Sequence, residues 1–238
     1  MKQNKYAYLL DRYDLGLIAL IILANALRIY IAATTHFVSS DAFQFITLGT
    51  NFFQSGHFTS SYGIVPGWAQ SPGFPFVIGL FSGVFGPETA ARVVAEFSVW
   101  ITIFLIYRFT VRYFDRPTAL TAILFFSANP VTVYVYGRLI SESLFDVFSF
   151  SLFILLYHSI YTKSLRWYRS IVLSLLFIAA YLTRSEGLLF GVAAFLFLIR
   201  YGKLKAGFFY LVFCSLLLFG YGIFVQWQSG TFRIAPKI

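Results

Sequence analysis

"LGLIALIILANALRIYIAA", residues 15–33, is an apolar run of the length that crosses a lipid bilayer. A membrane-spanning helix needs roughly 20 mostly apolar residues, because each residue advances the helix by only about 1.5 Å. The run follows three basic residues, Lys2, Lys5 and Arg12, as the apolar core of a signal peptide does. It is longer than such a core, however, and it ends without a clear small-x-small cleavage site. We therefore predict an uncleaved first membrane span.

The composition of the whole chain also indicates a membrane protein. Of its 238 residues, 59% are hydrophobic and 11% are charged, and the mean hydropathy is +0.77, so polar groups cannot cover a soluble surface. The net charge of +9 comes from small clusters of Lys and Arg between apolar runs, without the basic face or tail of a nucleic-acid-binding protein. Cys214 is the only cysteine, which excludes a disulfide or a cysteine metal site within one chain.

Further apolar runs resemble the first in length and composition. They lie near 89–107, 118–136, 143–161, 170–183, 187–201 and 207–225. The pattern predicts an all-α, polytopic membrane protein with about seven transmembrane helices, organised as a single module over residues 1–238. The fifth and sixth runs are short and meet at "LTRSEG", residues 182–187. They indicate a tight hairpin whose polar tip reaches the outer edge of the bilayer.

The basic residues predict the orientation, because short loops rich in Lys and Arg stay in the cytoplasm. One set of loops carries Lys2, Lys5, Arg12, Arg108, Arg112, Arg116, Lys163, Arg166, Arg169, Arg200, Lys203 and Lys205. The opposite set carries only Arg138, Arg184, Arg233 and Lys237, and residues 29–91 contain no Lys or Arg. We predict a multi-pass protein of the plasma (cytoplasmic) membrane, with a cytoplasmic N-terminus and an extracytoplasmic first loop at residues 34–88.

Two short helices are predicted in this first outer loop. In "HFVSSDAFQFITLGTNFFQSG", residues 36–56, one helical face is apolar (Ala42, Phe45, Ile46, Phe52 and Phe53) and the other is polar (Asp41, Gln44, Thr47, Asn51 and Gln54). Ser39 or Ser40 can cap this helix and Gly56 can end it. "SPGFPFVIGLFSGVFG", residues 71–86, is apolar but too short to span. Both segments are expected to lie in the membrane interface.

The outward side carries only a few charged residues, and the candidate site residues are among them. These charged residues are Asp41, Glu88, Arg92, Arg138, Glu142, Arg184 and Glu186. Ionisable groups at membrane depth suggest function, and arginines at one depth can bind a phosphate through their planar guanidinium groups. Structural alternatives stay open.

Asp41 can simply complement a helix dipole. Arg138 with Glu142, and Arg184 with Glu186, can form neutralised pairs. Glu88 can be a solvated helix start, and Arg92 can be an interfacial anchor. His36 and His57 flank the Asp41 helix, so a divalent metal remains open beside an unliganded surface role.

Several motifs in order resemble a known family. The segments "SSDAFQF", "SPGFPFVIGLFSGVFG", "AARVVAEF", "GRLISESLF" and "LTRSEG" follow a first span. Their order is similar to that of polytopic GT-C glycosyltransferases, in the branch that includes protein O-mannosyltransferases and lipid A aminoarabinose transferases. The resemblance covers residues 12 to 230. It implies transfer of a sugar from a polyprenyl-phosphate donor to a glycan, lipid or protein acceptor at the outer face of the membrane.

The resemblance also implies roles for particular residues. Asp41 maps onto the catalytic acid of the first outer loop, as a base or a metal-binding group. Arg138, Arg184 and Arg92 are the expected donor-phosphate-binding residues, with Glu142 and Glu186 orienting them. The chain departs from the family pattern, since many relatives carry a second acid beside Asp41, and Ser143 and Ser185 stand where relatives have proline.

Two other functions remain open from the sequence. Relatives usually continue beyond the seventh span, so the chain can be a truncated, non-catalytic module or one that a second subunit completes. The same outward charges can also serve a transporter or flippase for a lipid-linked sugar. The lack of a charge clearly placed at mid-bilayer, and of internal repeats, disfavours the transporter.

Overall fold

The computed structural model describes residues 12–34, 39–59, 70–136, 139–161 and 167–234. Every element in these ranges is an α-helix, which confirms the predicted all-α class. In chain order they are α1 (Arg12–Thr34), α2 (Ser40–Ser55), α3 (Gly73–Phe85), α4 (Pro87–Tyr113), α5 (Arg116–Ala128), α6 (Pro130–Tyr136), α7 (Glu142–Tyr161), α8 (Trp167–Thr183), α9 (Gly187–Arg200) and α10 (Leu204–Ser229).

The length and composition of the helices confirm a polytopic membrane protein. Among the described residues, four segments are long and apolar enough to cross a membrane: Tyr13–Ile31, Pro87–Tyr113, Glu142–Tyr161 and Leu204–Ser229. Gly73–Phe85, Tyr168–Thr183 and Gly187–Arg200 are apolar but shorter. Four of the seven predicted spans are therefore full-length helices, and the two runs that meet at "LTRSEG" form the short helices α8 and α9.

The predicted span at 118–136 is divided into two helices. Helix α5 ends at Ala128 and α6 begins at Pro130. A proline lacks the N–H that continues a helix, and it disfavours helical geometry at the preceding residue. Asn129 accordingly has an extended backbone, and its side-chain oxygen accepts a hydrogen bond from the N–H of Val131 at 2.9 Å. The hydrophobic run did not reveal this break, although the Asn-Pro pair could have.

The chain forms two compact units. The first consists of Met1–Phe37 and Ile103–Arg138, and the second of Val38–Thr102 and Leu139–Ile238. In the first unit, α1 packs against α5 through buried polar groups: Asp14 pairs with Arg116 at 3.3 Å, and the Asn25 amide donates to the hydroxyl of Ser127 at 3.0 Å. Arg28, on the same helix α1, is only 1% exposed. The sequence reading did not identify this polar seam inside a span.

In the second unit, α2 and α3 pack at very short range. A Cβ atom on Gly49 would collide with the backbone oxygen of Pro75, and one on Gly79 would collide with the backbone oxygen of Gly49. The buried face of α2 consists of Ala42, Phe45, Leu48 and Gly49. The apolar face predicted for this helix therefore packs largely against protein.

The predicted ends of α2 are confirmed. The Ser39 hydroxyl accepts a hydrogen bond from the N–H of Ala42 at 3.1 Å. Gly56 ends the helix in the left-handed conformation, with a φ of 76°. Both signals are local, and they place Asp41 in the first turn of α2.

Helices α7 to α10 enclose an apolar cluster of the second unit. It includes Leu152 of α7, Leu173 of α8, Leu198 of α9 and Tyr210 of α10. The Tyr210 hydroxyl donates to the backbone oxygen of Gly191 at 3.1 Å, which links α10 to α9. This packing holds the α8–α9 turn in place.

Candidate functional site

A cavity of about 150 Å³ lies in the second unit, where the N-terminal ends of α2 and α7 meet the α8–α9 turn. Its lining residues are Asp41, Phe45, Gln70, Ser71, Ile140, Ser141, Glu142, Thr183, Arg184, Ser185 and Glu186. Four of the predicted site residues, Asp41, Glu142, Arg184 and Glu186, thus line one cavity. Ligand pockets for drug-sized molecules measure roughly 300–1,000 Å³, so this cavity suits a single small group such as a phosphate or one sugar.

Helix ends position the charged side chains. Asp41 stands in the first turn of α2 behind the Ser39 cap, and its side chain is exposed. Glu142 is the first residue of α7. The α8–α9 turn that carries Arg184 is closed by hydrogen bonds from Arg184 N to Ala180 O and from Gly187 N to Arg184 O, both 2.9 Å.

The start of α3 also lies against the end of α8. A Cβ atom on Gly73 would come within 2.9 Å of the backbone of Leu182 and Thr183. Because α2 packs on α3 and α3 meets α8, Asp41 and Arg184 line the same cavity although they are far apart in sequence.

Arg184 binds two carboxylates. Its Nη1 forms a close ion pair with Oε1 of Glu142, and its Nη2 lies 2.9 Å from Oε1 of Glu186. Partial burial by itself lowers the pKa of Arg184, but the hydrogen bond to Glu186 and the charges of both glutamates outweigh it and raise that pKa. The hydrogen bond from Arg184 lowers the pKa of Glu186. The guanidinium is therefore firmly charged and held from two sides.

Neutral polar groups complete the lining. Gln70 donates to the side-chain oxygen of Gln44 at 3.0 Å, which connects the segment before α3 to the polar face of α2. Ser71, Ser141 and Thr183 are buried. Gln70, Ser71 and Thr183 were not identified as site residues from the sequence, although each adjoins or belongs to a segment that carries the family resemblance. The cavity thus offers hydrogen-bonding groups beside its charges.

Of the other two predicted site residues, the structure describes only Arg92. Arg92 pairs with Glu88 one helical turn away, with Nη2 to Oε1 at 2.8 Å, and it is not among the described residues that line the cavity. Arg138 lies outside the described residues. The predicted pair of Arg184 with Glu186 is present. Glu142 also binds Arg184, a contact that the spacing did not indicate. The pair of Arg138 with Glu142 stays a prediction.

The geometry does not favour a metal site shared by Asp41 and His57. His57 follows the end of α2 and lies 3.3 Å from Oε1 of Gln228, whereas Asp41 is at the start of the helix. The helix separates them by about 24 Å, far beyond the reach of one ion. His36 lies outside the described residues. Within the described ranges, His, Cys, Asp and Glu side chains form no group of three that could hold a metal.

A second, larger space lies between α7 and α9. It measures about 650 Å³, and its walls are almost wholly apolar. Its lining residues are Leu152, Phe153, Leu156, Tyr157, Ile160, Tyr161, Phe190, Ala193, Ala194, Phe197 and Tyr201. This apolar groove begins at Phe190, about one turn of α9 beyond the turn that carries Arg184.

Comparison with known proteins gives a family match. Residues 69–224, more than half of the chain, match the sequence profile of the dolichyl-phosphate-mannose-protein mannosyltransferase family. The matched segment contains Glu142, Arg184 and Glu186 and follows Asp41 in the chain. No curated protein and no solved structure matches the chain.

Proposed function

The chain belongs to the dolichyl-phosphate-mannose-protein mannosyltransferase family, and from this premise we propose that it transfers a sugar from a polyprenyl-phosphate donor to an acceptor at the extracytoplasmic face. The family makes it a membrane glycosyltransferase of the GT-C type. The observation that carries the finer proposal is the cavity that brings Asp41 together with the paired Arg184.

The proposed reaction forms a bond from an acceptor hydroxyl oxygen to the anomeric carbon, while the bond from that carbon to the phosphate oxygen breaks. The bonding electron pair leaves with the polyprenyl phosphate, and the acceptor loses a proton. We assign this proton to the carboxylate of Asp41, which lines the cavity and is exposed. A positioned general base contributes about 10²- to 10⁴-fold to such a step.

Arg184 is the proposed phosphate-binding group. Negative charge grows on the phosphate oxygens as the bond breaks, and a fixed cation stabilises that charge. Arg184 is the one basic side chain among the described lining residues, and Glu142 and Glu186 orient it. Arg92 is paired with Glu88 outside this lining, so the proposed site does not include it.

The apolar groove supports a lipid-linked donor. It starts near the α8–α9 turn and runs along α9 toward Tyr201, a length of about 16 Å. Ala193 and Ala194 leave space in its wall. A polyprenyl tail bound there would place its phosphate near Arg184, because the groove begins at Phe190, about one helical turn beyond the turn that carries Arg184.

The test is sugar transfer by the full chain in proteoliposomes that contain dolichyl-phosphate mannose. We expect Asp41→Asn to reduce transfer by about 10²- to 10⁴-fold, with donor binding retained. Glu88→Gln is a matched control, because Glu88 is also an acid in the first turn of a helix but lies outside the described lining.

Two results would contradict the proposal. Full transfer by Asp41→Asn would leave this residue with only its effect on the helix dipole, worth about 0.3–1 kcal/mol. Movement of the donor across the bilayer without product would instead identify a lipid transporter.

A further inference from the structure

Both terminal nitrogens of Arg184 are already bound by carboxylates. Nη1 pairs with Glu142, and Nη2 pairs with Glu186 at 2.9 Å. A guanidinium has a fixed set of N–H donors. A phosphate that binds Arg184 must therefore displace one carboxylate or share donors with it.

The cavity lining is acidic overall. Its described charged residues are three carboxylates, on Asp41, Glu142 and Glu186, and one guanidinium, on Arg184. An anion that enters is attracted by one cation and repelled by the carboxylates. Each Coulomb energy is proportional to the ligand charge. The net negative lining therefore repels a doubly charged ligand more strongly than a singly charged one.

The proposed donor and its product differ in this charge. A sugar joined to a polyprenyl phosphate is a phosphodiester with one negative charge. The released polyprenyl phosphate is a monoester, whose second ionisation has a pKa of about 6, so it carries a charge of about −1.5 to −2 at pH 7. An acidic lining around one arginine thus favours the donor over the product.

Glu142 is the carboxylate with the stronger effect. The Glu186 side chain is 52% exposed, and its Oε2 accepts a hydrogen bond from Ser185 at 3.3 Å. Glu142 is 31% exposed, and its Oε2 is buried and has no hydrogen-bond partner among the described residues. Water screens an exposed charge more than a half-buried one, and a buried oxygen without a hydrogen bond is poorly stabilised. The Glu142 charge is therefore less screened than the Glu186 charge, and it acts more strongly on an anion bound at Arg184.

We propose that Glu142 is a specificity-determining residue that makes the cavity select the singly charged phosphodiester donor over the more highly charged phosphomonoester product. Its charge thereby promotes product release. This inference rests on the proposed function, because it takes Arg184 as the phosphate-binding group.

The test is direct binding to the full chain in lipid nanodiscs. Dissociation constants are measured for dolichyl-phosphate mannose, for dolichyl phosphate and for uncharged dolichol. We expect Glu142→Gln to bind both phosphate lipids more tightly, with a gain for dolichyl phosphate that exceeds the gain for the donor by about tenfold. Glu88→Gln, which removes a glutamate paired with an arginine outside the described lining, should leave the ratio of the two constants unchanged.

Other results have distinct meanings. The inference would be overturned if Glu142→Gln bound both phosphate lipids more tightly by the same factor. It would also be overturned if the variant bound both more weakly, which is expected if Glu142 only holds Arg184. Neither result would contradict the donor site. Glu142→Asp keeps the charge and should keep the wild-type ratio; the same loss of selectivity in both variants would overturn it too. If the wild-type protein binds neither phosphate lipid better than dolichol, the proposed donor site itself fails.

Discussion

Arg184 illustrates what individual residues contribute to this site. Arg184 lies in the α8–α9 turn because the apolar runs on either side of it end and begin there. Its pairing with Glu142 depends on the approach of α7. The two glutamates hold the guanidinium from different directions, which limits its rotation. A lysine has no planar fork and could not maintain this arrangement.

The Glu186 carboxylate gives a prediction for pH dependence. Its pKa in the folded protein is lowered below the ordinary value of 4.5, mainly by the hydrogen bond from Arg184. Such a group stabilises the fold at pH values above its unfolded pKa, and the contribution is lost as the pH falls through the lowered folded pKa. We expect the melting temperature of Glu186→Gln to lie slightly below that of wild type at pH 6 to 8, and the two to converge in strong acid.

Thermal unfolding in detergent at several pH values measures this difference. The effect should be small, because water screens a half-exposed ion pair. A difference that widens as the pH falls below the ordinary pKa would have the wrong sign and would contradict the assignment of the pair.

At the scale of elements, the contact between α2 and α3 positions Asp41. The first turn of α2 adjoins the cavity, while Gly49 farther along the helix lies against α3. Aromatic contacts reinforce the pair, since the rings of Phe45 and Phe74 meet edge to face at 5.5 Å. Ala42 and Phe45 of the predicted apolar face are buried, but Leu48 and Gly49 complete the buried face and Phe53 is exposed. The period of the apolar residues did not indicate that α3 would cover this face.

Two glycines of α3 provide a matched test of this contact. Gly79→Ala places a methyl group against the backbone of Gly49, whereas Gly83→Ala meets nothing within 4 Å. We expect Gly79→Ala to destabilise the protein by about 1–3 kcal/mol and to reduce sugar transfer by displacing Asp41. Gly83→Ala should be neutral or slightly stabilising, because alanine favours the helix.

Unfolding in denaturant, together with the transfer assay, measures both variants. Equal stability of the two variants would show that the close approach of α2 and α3 is not needed. A loss of stability in Gly79→Ala without a loss of transfer would separate the helix contact from the placement of Asp41.

At the scale of the whole molecule, the distribution of Lys and Arg predicts which side of the membrane each loop occupies. The candidate cavity gathers segments of the outward set, at the start of α2, the start of α7 and the α8–α9 turn. The Lys- and Arg-rich loops belong to the opposite set. We therefore expect the cavity to face the extracytoplasmic side.

Cysteine labelling in intact cells tests this orientation. Cys214 is buried and is replaced first, by Cys214→Ser. A membrane-impermeant maleimide should then label Gln54→Cys in intact cells, and should label Lys205→Cys only after the membrane is permeabilised. Both positions are exposed in the structure. The reverse pattern would place the cavity on the cytoplasmic side.

The sequence by itself determined the helical membrane class, the short helices of the first loop and the ends of α2, because apolar run length, periodicity and capping residues act over a few neighbouring positions. The Asn129-Pro130 pair also indicates the break in the third predicted span, but the continuous hydrophobic run led to the prediction of a single helix. Only the tertiary structure decided that Glu142 binds Arg184, that Gln70, Ser71 and Thr183 join the cavity, and that Arg92 stays outside its described lining. Those outcomes depend on which helices approach within hydrogen-bond distance. Side-chain packing between segments far apart in the chain determines this approach.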